Sequence, residues 1–143
     1  MGRKVSAIAV NDLIQSIGLL VRRVRAAAGA HEMSLTESAV LARIANGGAA
    51  TIAELARAES MRPQSMGATV ASLEEMGLVE RKPHPTDGRQ VHIELTTNGA
   101  SVRKSAREAK RTWLAEAISE LDEREQEILF QSAGIIRRLV GKA

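Results

Sequence analysis

Along the first part of the chain, Ile8, Leu13, Ile17, Leu20, Val21 and Val24 recur at intervals that place them on one side of a helix over 5–28. Ala26-Ala27-Ala28-Gly29 supplies its stop. Ser34-Leu35-Thr36-Glu37 is a capping box, in which a hydroxyl at the helix start and a carboxylate three residues on satisfy free backbone amides. It opens a second helix through Val40, Leu41 and Ile44, which ends at Asn46-Gly47-Gly48. Thr51-Ile52-Ala53-Glu54 repeats the box for a short third helix with Leu55 and Ala56 facing inward. That helix must stop near Ser60, because Pro63 disfavours a helical residue before it. Pro63 itself suits the first position of a fourth helix, which buries Met66, Val70 and Leu73, runs to Met76 and is capped by Gly77.

The apolar period then changes from helical to alternating. Val79-Glu80-Arg81-Lys82 reads as a strand and His84-Pro85-Thr86-Asp87-Gly88 as a turn. Val91, Ile93 and Leu95, alternating with Gln90, His92 and Glu94, read as a second strand with one buried face. Thr96 caps a fifth helix of about 25 residues, with Val102, Ala106, Ala109, Trp113, Ala117 and Leu121 on one side. Asp122-Glu123-Arg124-Glu125 is a further capping box, and Ile128, Leu129, Ile135, Ile136, Leu139 and Val140 form the stripe of a sixth helix. The chain is therefore expected to be mainly α with a small β-hairpin.

Opposite its buried stripe, the fourth helix presents Gln64, Ser65, Ala68, Thr69 and Ser72, with Arg62 at the N-terminal edge and no acid before Glu74. Small side chains permit close approach to a major groove, amide and hydroxyl groups bond base edges, and an unneutralised helix start favours phosphate. A surface helix with a small polar face is the alternative, and the hairpin that follows weighs against it. Its turn carries a cationic tip, with Arg81, Lys82, His84 and Arg89 as candidate DNA contacts; an arginine on a rigid tip suits a narrow minor groove. Asp87 has two compatible readings, a turn former bonding backbone amides and an ion-pair partner that aims Arg89.

Composition sharpens this picture. The 143 residues include 44% hydrophobic ones, enough for one folded domain, but only Trp113 and Phe130 are aromatic, so the core must be aliphatic. Cysteine is absent, which excludes disulfides, thiolate metal sites and thiol redox sensing within this chain. No apolar run reaches the roughly 18 residues that span a bilayer, and no apolar signal core begins the sequence, so a cytoplasmic location and no membrane partner are expected. Net charge is +3, but it is segregated: residues 1–31 hold five basic and one acidic group, and 112–127 one basic and six acidic. Such segregation suits complementary contacts within or between chains, or simply solvated helix faces.

The order of elements resembles the MarR family of bacterial regulators. The resemblance is carried by Leu35-Thr36, Thr51-Ile52-Ala53-Glu54-Leu55-Ala56, Arg62-Pro63-Gln64-Ser65, Leu73-Glu74-Glu75-Met76-Gly77-Leu78-Val79, Asp87-Gly88-Arg89 and Leu95-Thr96. It implies a single domain over 1–143, with a winged helix-turn-helix DNA-binding region at 34–96 and a helical dimerisation lobe formed by 1–31 and 97–143. Two long amphipathic terminal segments without an obvious partner in so short a chain point the same way. Ile8, Leu13, Ile17, Ile128, Ile135 and Leu139 are the expected homodimer contacts. A two-fold dimer reads a pseudo-palindromic double-stranded operator with half-sites about one helical turn apart.

Family members usually repress nearby genes and release DNA when a small anionic or aromatic molecule, a metal or an oxidant acts on them. Lack of cysteine argues against an oxidant here, and three histidines, His31, His84 and His92, argue against a zinc sensor; no metal site or cofactor is expected. A small-molecule inducer would be held near the junction of lobe and winged region, where His31, Met33 and Trp113 are candidates that also read as ordinary junction or core residues. Catalysis is not expected, since the chain has no nucleophile elbow, P-loop, dinucleotide fingerprint or carboxylate pair in an apolar setting. The rival functions are a winged-helix module that binds protein and a non-specific DNA-binding protein without effector response.

Overall fold

The computed structural model describes residues 4–29 and 33–141. Its elements are α1 (Ala7–Ala27), α2 (Leu35–Gly47), α3 (Ile52–Ala58), α4 (Pro63–Glu75), β1 (Val79–Pro83), β2 (Val91–Leu95), α5 (Thr97–Ser119) and α6 (Glu123–Val140). All three capping boxes form. The Ser34 hydroxyl accepts from the Glu37 amide at 3.0 Å while the Glu37 carboxylate accepts from the Ser34 amide at 3.2 Å, and the Thr51–Glu54 and Asp122–Glu125 pairs repeat the exchange. At the far end of α4, Gly77 takes φ 77° and donates to the Glu74 carbonyl, while the Leu78 amide reaches back to Leu73 at 3.0 Å. This paired closure turns the chain sharply from helix into strand, and only a glycine adopts that backbone freely.

The chain divides into two compact units, Ala28–Arg107 and Met1–Ala27 with Glu108–Ala143. In the first, Val40, Leu41 and Ile44 of α2, Leu55 and Ala56 of α3, Met66, Val70 and Leu73 of α4, and Leu78, Val79 and Ile93 from the hairpin form one buried aliphatic cluster. Full burial of a large aliphatic side chain contributes about 1.5–3 kcal/mol, so this cluster is what fixes α3 and α4 against the hairpin. β1 and β2 pair antiparallel with Val79 opposite Leu95, Arg81 opposite Ile93 and Pro83 opposite Val91.

The buried face expected for β2 is shorter than its alternation implies. Ile93 is fully buried and Leu95 half-buried, but Val91, paired with Pro83 next to the turn, is exposed where the hairpin leaves the core. Ile93 is also bridged on its other side. It exchanges backbone hydrogen bonds with Ala50, 2.7 and 3.2 Å long, so the segment between α2 and α3 adds a short third rung to the sheet.

Thr96 joins hairpin to helix. Its hydroxyl accepts from the Gly99 amide at 2.9 Å, starting α5, and donates to the Gly77 carbonyl at 2.6 Å. Val102 packs against the winged core and Arg103 reaches Asn46 at 3.4 Å, which is why the unit boundary falls after Arg107 and not at residue 97, where α5 begins.

The second unit has a different character. None of the residues of α1 or α6 is buried, and Ile8, Leu13, Ile17, Ile128, Ile135 and Leu139 range from 43% exposed at Ile17 to 83% at Ile8. Gln126 of α6 donates to the Ile118 and Leu121 carbonyls at 3.2 and 3.0 Å, holding the α5–α6 turn, and the Arg23 guanidinium of α1 lies 5.4 Å from the Trp113 ring centroid. No helix among the described residues is long and apolar enough to cross a membrane.

Candidate nucleic-acid interface

The N-termini of α2 and α3 are closed by their own side chains; that of α4 is not. Arg62 occupies the cap position with extended backbone and no side-chain cap bond, Pro63 follows, and the first turn holds no acid. The leading amides of α4 thus keep their bonding capacity, and the positive end of the helix dipole is left unneutralised. Gln64, Ser65 and Ala68 are exposed behind it, and half-buried Thr69 turns its hydroxyl onto the Ser65 carbonyl at 3.1 Å.

Ser72 departs from the face expected for it. It is half-buried and donates to the Glu37 carboxylate at 3.1 Å, so Glu37 clamps α4 with one oxygen while capping α2 with the other. With its hydroxyl engaged inward, Ser72 is a packing contact between α2 and α4 and leaves the set of base-reading candidates.

At the base of the wing, Arg81 and Lys82 are not free cations. Arg81 Nε lies 3.0 Å from Glu74 of α4, and Lys82 Nζ lies 3.4 Å from Glu80 and 3.7 Å from Glu94. Glu80 already adjoins them in the sequence, whereas folding brings Glu74 to Arg81 and Glu94 to Lys82. Exposed pairs of this kind contribute about 0–1 kcal/mol, little enough for a phosphate to take over either cation.

The tip is organised by hydrogen bonds. His84 N donates to Gln90 O at 3.1 Å, and Gln90 N donates to Asp87 O at 3.0 Å. Asp87 Oδ1 accepts from the Arg89 amide at 3.0 Å and lies 3.5 Å from Arg89 Nε, so Asp87 serves both as turn former and as ion-pair partner. The Arg89 side chain is 94% exposed. His84, expected as a DNA contact, is half-buried, and its Nδ1 accepts from the Thr86 and Asp87 amides at 3.2 and 3.1 Å; its ring centroid lies 4.4 Å from that of His92.

Beneath the wing, the Glu54 carboxyl is held below its usual range, first by the Thr51 amide, then by the Thr51 hydroxyl, with His92 and Arg57 adding attraction against slight desolvation.

Residues 31–90 match the profile of the MarR family. Over 133 residues, 93% of each chain, the sequence is 39% identical to the uncharacterized HTH-type transcriptional regulator Mb0904 of Mycobacterium bovis. The chain belongs to the MarR family. It is similar as well to the HTH-type transcriptional repressor Rv2887 of Mycobacterium tuberculosis, 30% identical over 110 residues that cover 76% of this chain and 79% of the other. The crystal structure of RV1404 from the same species shares the fold, with a TM-score of 0.85, 22% identity and coverage of 99% of this chain and 98% of that one.

Membership makes the chain a helix-turn-helix transcriptional regulator. The inducer candidates of this MarR-family chain fare differently from its wing. His31 lies outside the described residues. Met33 packs against the winged core and Trp113 lies under Arg23, so each already has a packing role. Neither lines an open cavity of about 430 Å³ beside Leu114, Ile118, Gln126 and Phe130, nor one of about 530 Å³ beside Ala39, Arg43, Asn46 and Glu59.

Proposed function

We propose that this MarR-family chain is a repressor that binds a pseudo-palindromic double-stranded DNA operator as a homodimer and releases it on binding a small-molecule inducer. The observation that carries the DNA reading is the exposed, acid-free leading face of α4, with Gln64, Ser65 and Ala68 behind an uncapped helix start, on the same buried core as the wing that presents Arg89. Gln64 suits an adenine edge, Arg62 a guanine or phosphate, and Ala68 or Thr69 a thymine methyl group. Arg89 suits the minor groove, and Arg81 and Lys82 exchange their carboxylates for phosphates on docking.

The homodimer is supported by the apolar faces of α1 and α6, none of whose residues is fully buried within one chain. Family membership supports repression and an inducer of small anionic or aromatic character. Selection from a randomised duplex library by the purified protein tests the proposal. Enrichment of a two-fold site with half-sites about ten base pairs apart is the expected result. A pool without a motif, despite salt-sensitive binding, identifies a non-specific DNA binder, and no binding at all identifies a protein-interaction module.

A further inference from the structure

We propose that His84 is the positioning residue of the wing, acting with its imidazole neutral; the inference rests on the DNA-binding reading above. An amide N–H can only donate, so the Nδ1 that receives both the Thr86 and the Asp87 amides must carry a lone pair, and the neutral ring keeps its proton on Nε2. The Thr86 hydroxyl, 3.3 Å away, faces the same atom. A side-chain acceptor bonding the amides two and three residues on is the pattern of an Asx turn, where the acceptor is an Asp or Asn Oδ1. Nδ1 stands at the same number of bonds from the backbone as that oxygen, so the imidazole substitutes for it. The linkage then runs from His84 through the Asp87 backbone to the Asp87 carboxylate, and from there to the amide and side chain of Arg89.

Protonation undoes this arrangement, because an Nδ1–H would meet two N–H donors. The charged and titratable groups around the ring are His92 on β2, Lys82 across the ladder from His92 with Glu80 and Glu94 on its ammonium, and Asp87 and Arg89 in the turn. Glu54 of α3 is attracted to His92. Imidazole is the side-chain group whose ordinary range falls between about pH 5 and pH 8. The sign of the effect separates two roles. A histidine that touches phosphate binds DNA more tightly on acidification, whereas a histidine that must stay neutral to hold the wing binds DNA more weakly.

The test measures affinity for the selected duplex at fixed salt across the histidine range, from about pH 7.5 to about pH 5.5. Wild-type affinity is expected to fall roughly tenfold, the loss of two backbone hydrogen bonds at the tip. His84→Asn restores the acceptor without a titrating group; it should bind well at the upper pH and show no fall. His84→Gln, whose oxygen lies one bond further out, should bind weakly at both.

Nitrogen-15 spectra of the full chain without DNA should show an unprotonated Nδ1 on His84 at the upper pH and Thr86 and Asp87 amide signals that move as the pH is lowered. Tighter wild-type binding in acid, an unchanged pH dependence in His84→Asn, or a protonated Nδ1 at the upper pH each overturns the role. Failure of the wild type to bind any duplex at the upper pH overturns the DNA reading and this role together. Binding there with a contrary pH profile overturns this role alone.

Discussion

Gly99 sits in the first turn of α5 where the Leu78 carbonyl, already accepting from the Thr96 amide at 3.1 Å, occupies the place of a side chain; a Cβ there would overlap its oxygen. The carbonyl cannot retreat without breaking that bond, so Gly99→Ala should destabilise the fold by about 1–3 kcal/mol, the usual cost of overpacking, and urea denaturation measures it. Thr51 shows a pH-linked case. The Glu54 carboxyl, lowered first by the Thr51 amide and then by the hydroxyl, contributes stability that is full above its unfolded value, about 4.3, and is lost as pH falls through the lower folded value. Thr51→Ala removes the hydroxyl part: at neutral pH the fold should lose about 1 kcal/mol, and the Glu54 titration followed by NMR should move upward. An unmoved Glu54 midpoint would show that the backbone amide alone sets it.

At the scale of elements, the proposed function makes α4 and the wing one reading head, and substitutions in it should separate cleanly. Gln64→Ala should alter base preference in the selected pool more than affinity for random duplex, because Gln64 is exposed on the leading face. Ser72→Ala should leave the preference unchanged and lower thermal stability, because its hydroxyl holds Glu37. Arg89→Ala should weaken binding and reduce the salt slope by about one unit.

The existence and ends of these helices were legible in the sequence because capping boxes, Pro63 and Gly77 act within a few residues of where they stand. What was hidden depends on partners far along the chain. The carboxylate that turns Ser72 inward is 35 residues away, Ala50 meets Ile93 across two helices, and Arg81 finds Glu74 only once β1 folds back along α4. His84 was read from the sequence as a DNA contact of the turn; the positioning role proposed for it depends on which ring nitrogen faces the amides, and no spacing encodes that.

For the whole molecule, the contrast between the two units sets the energetics. The winged unit buries its aliphatic residues within one chain, whereas α1 and α6 leave Ile8, Leu13, Ile135 and Leu139 at least half exposed. A two-fold interface presents the same surface from both copies, so one substitution enters it twice. In the proposed homodimer, Leu139→Glu would place two carboxylates in an apolar contact, and an unpaired charge there costs far more than the methyl groups it replaces. The variant should sediment as a monomer while the winged core, to which Leu139 does not belong, stays folded by circular dichroism. With the two reading heads uncoupled, affinity for a full two-fold site should fall about a hundredfold or more, towards that for a half-site, which the wild type and the variant should then bind alike. A variant that still sediments as a dimer removes this end of α6 from the interface. One that becomes monomeric yet keeps full-site affinity shows that a single reading head carries recognition.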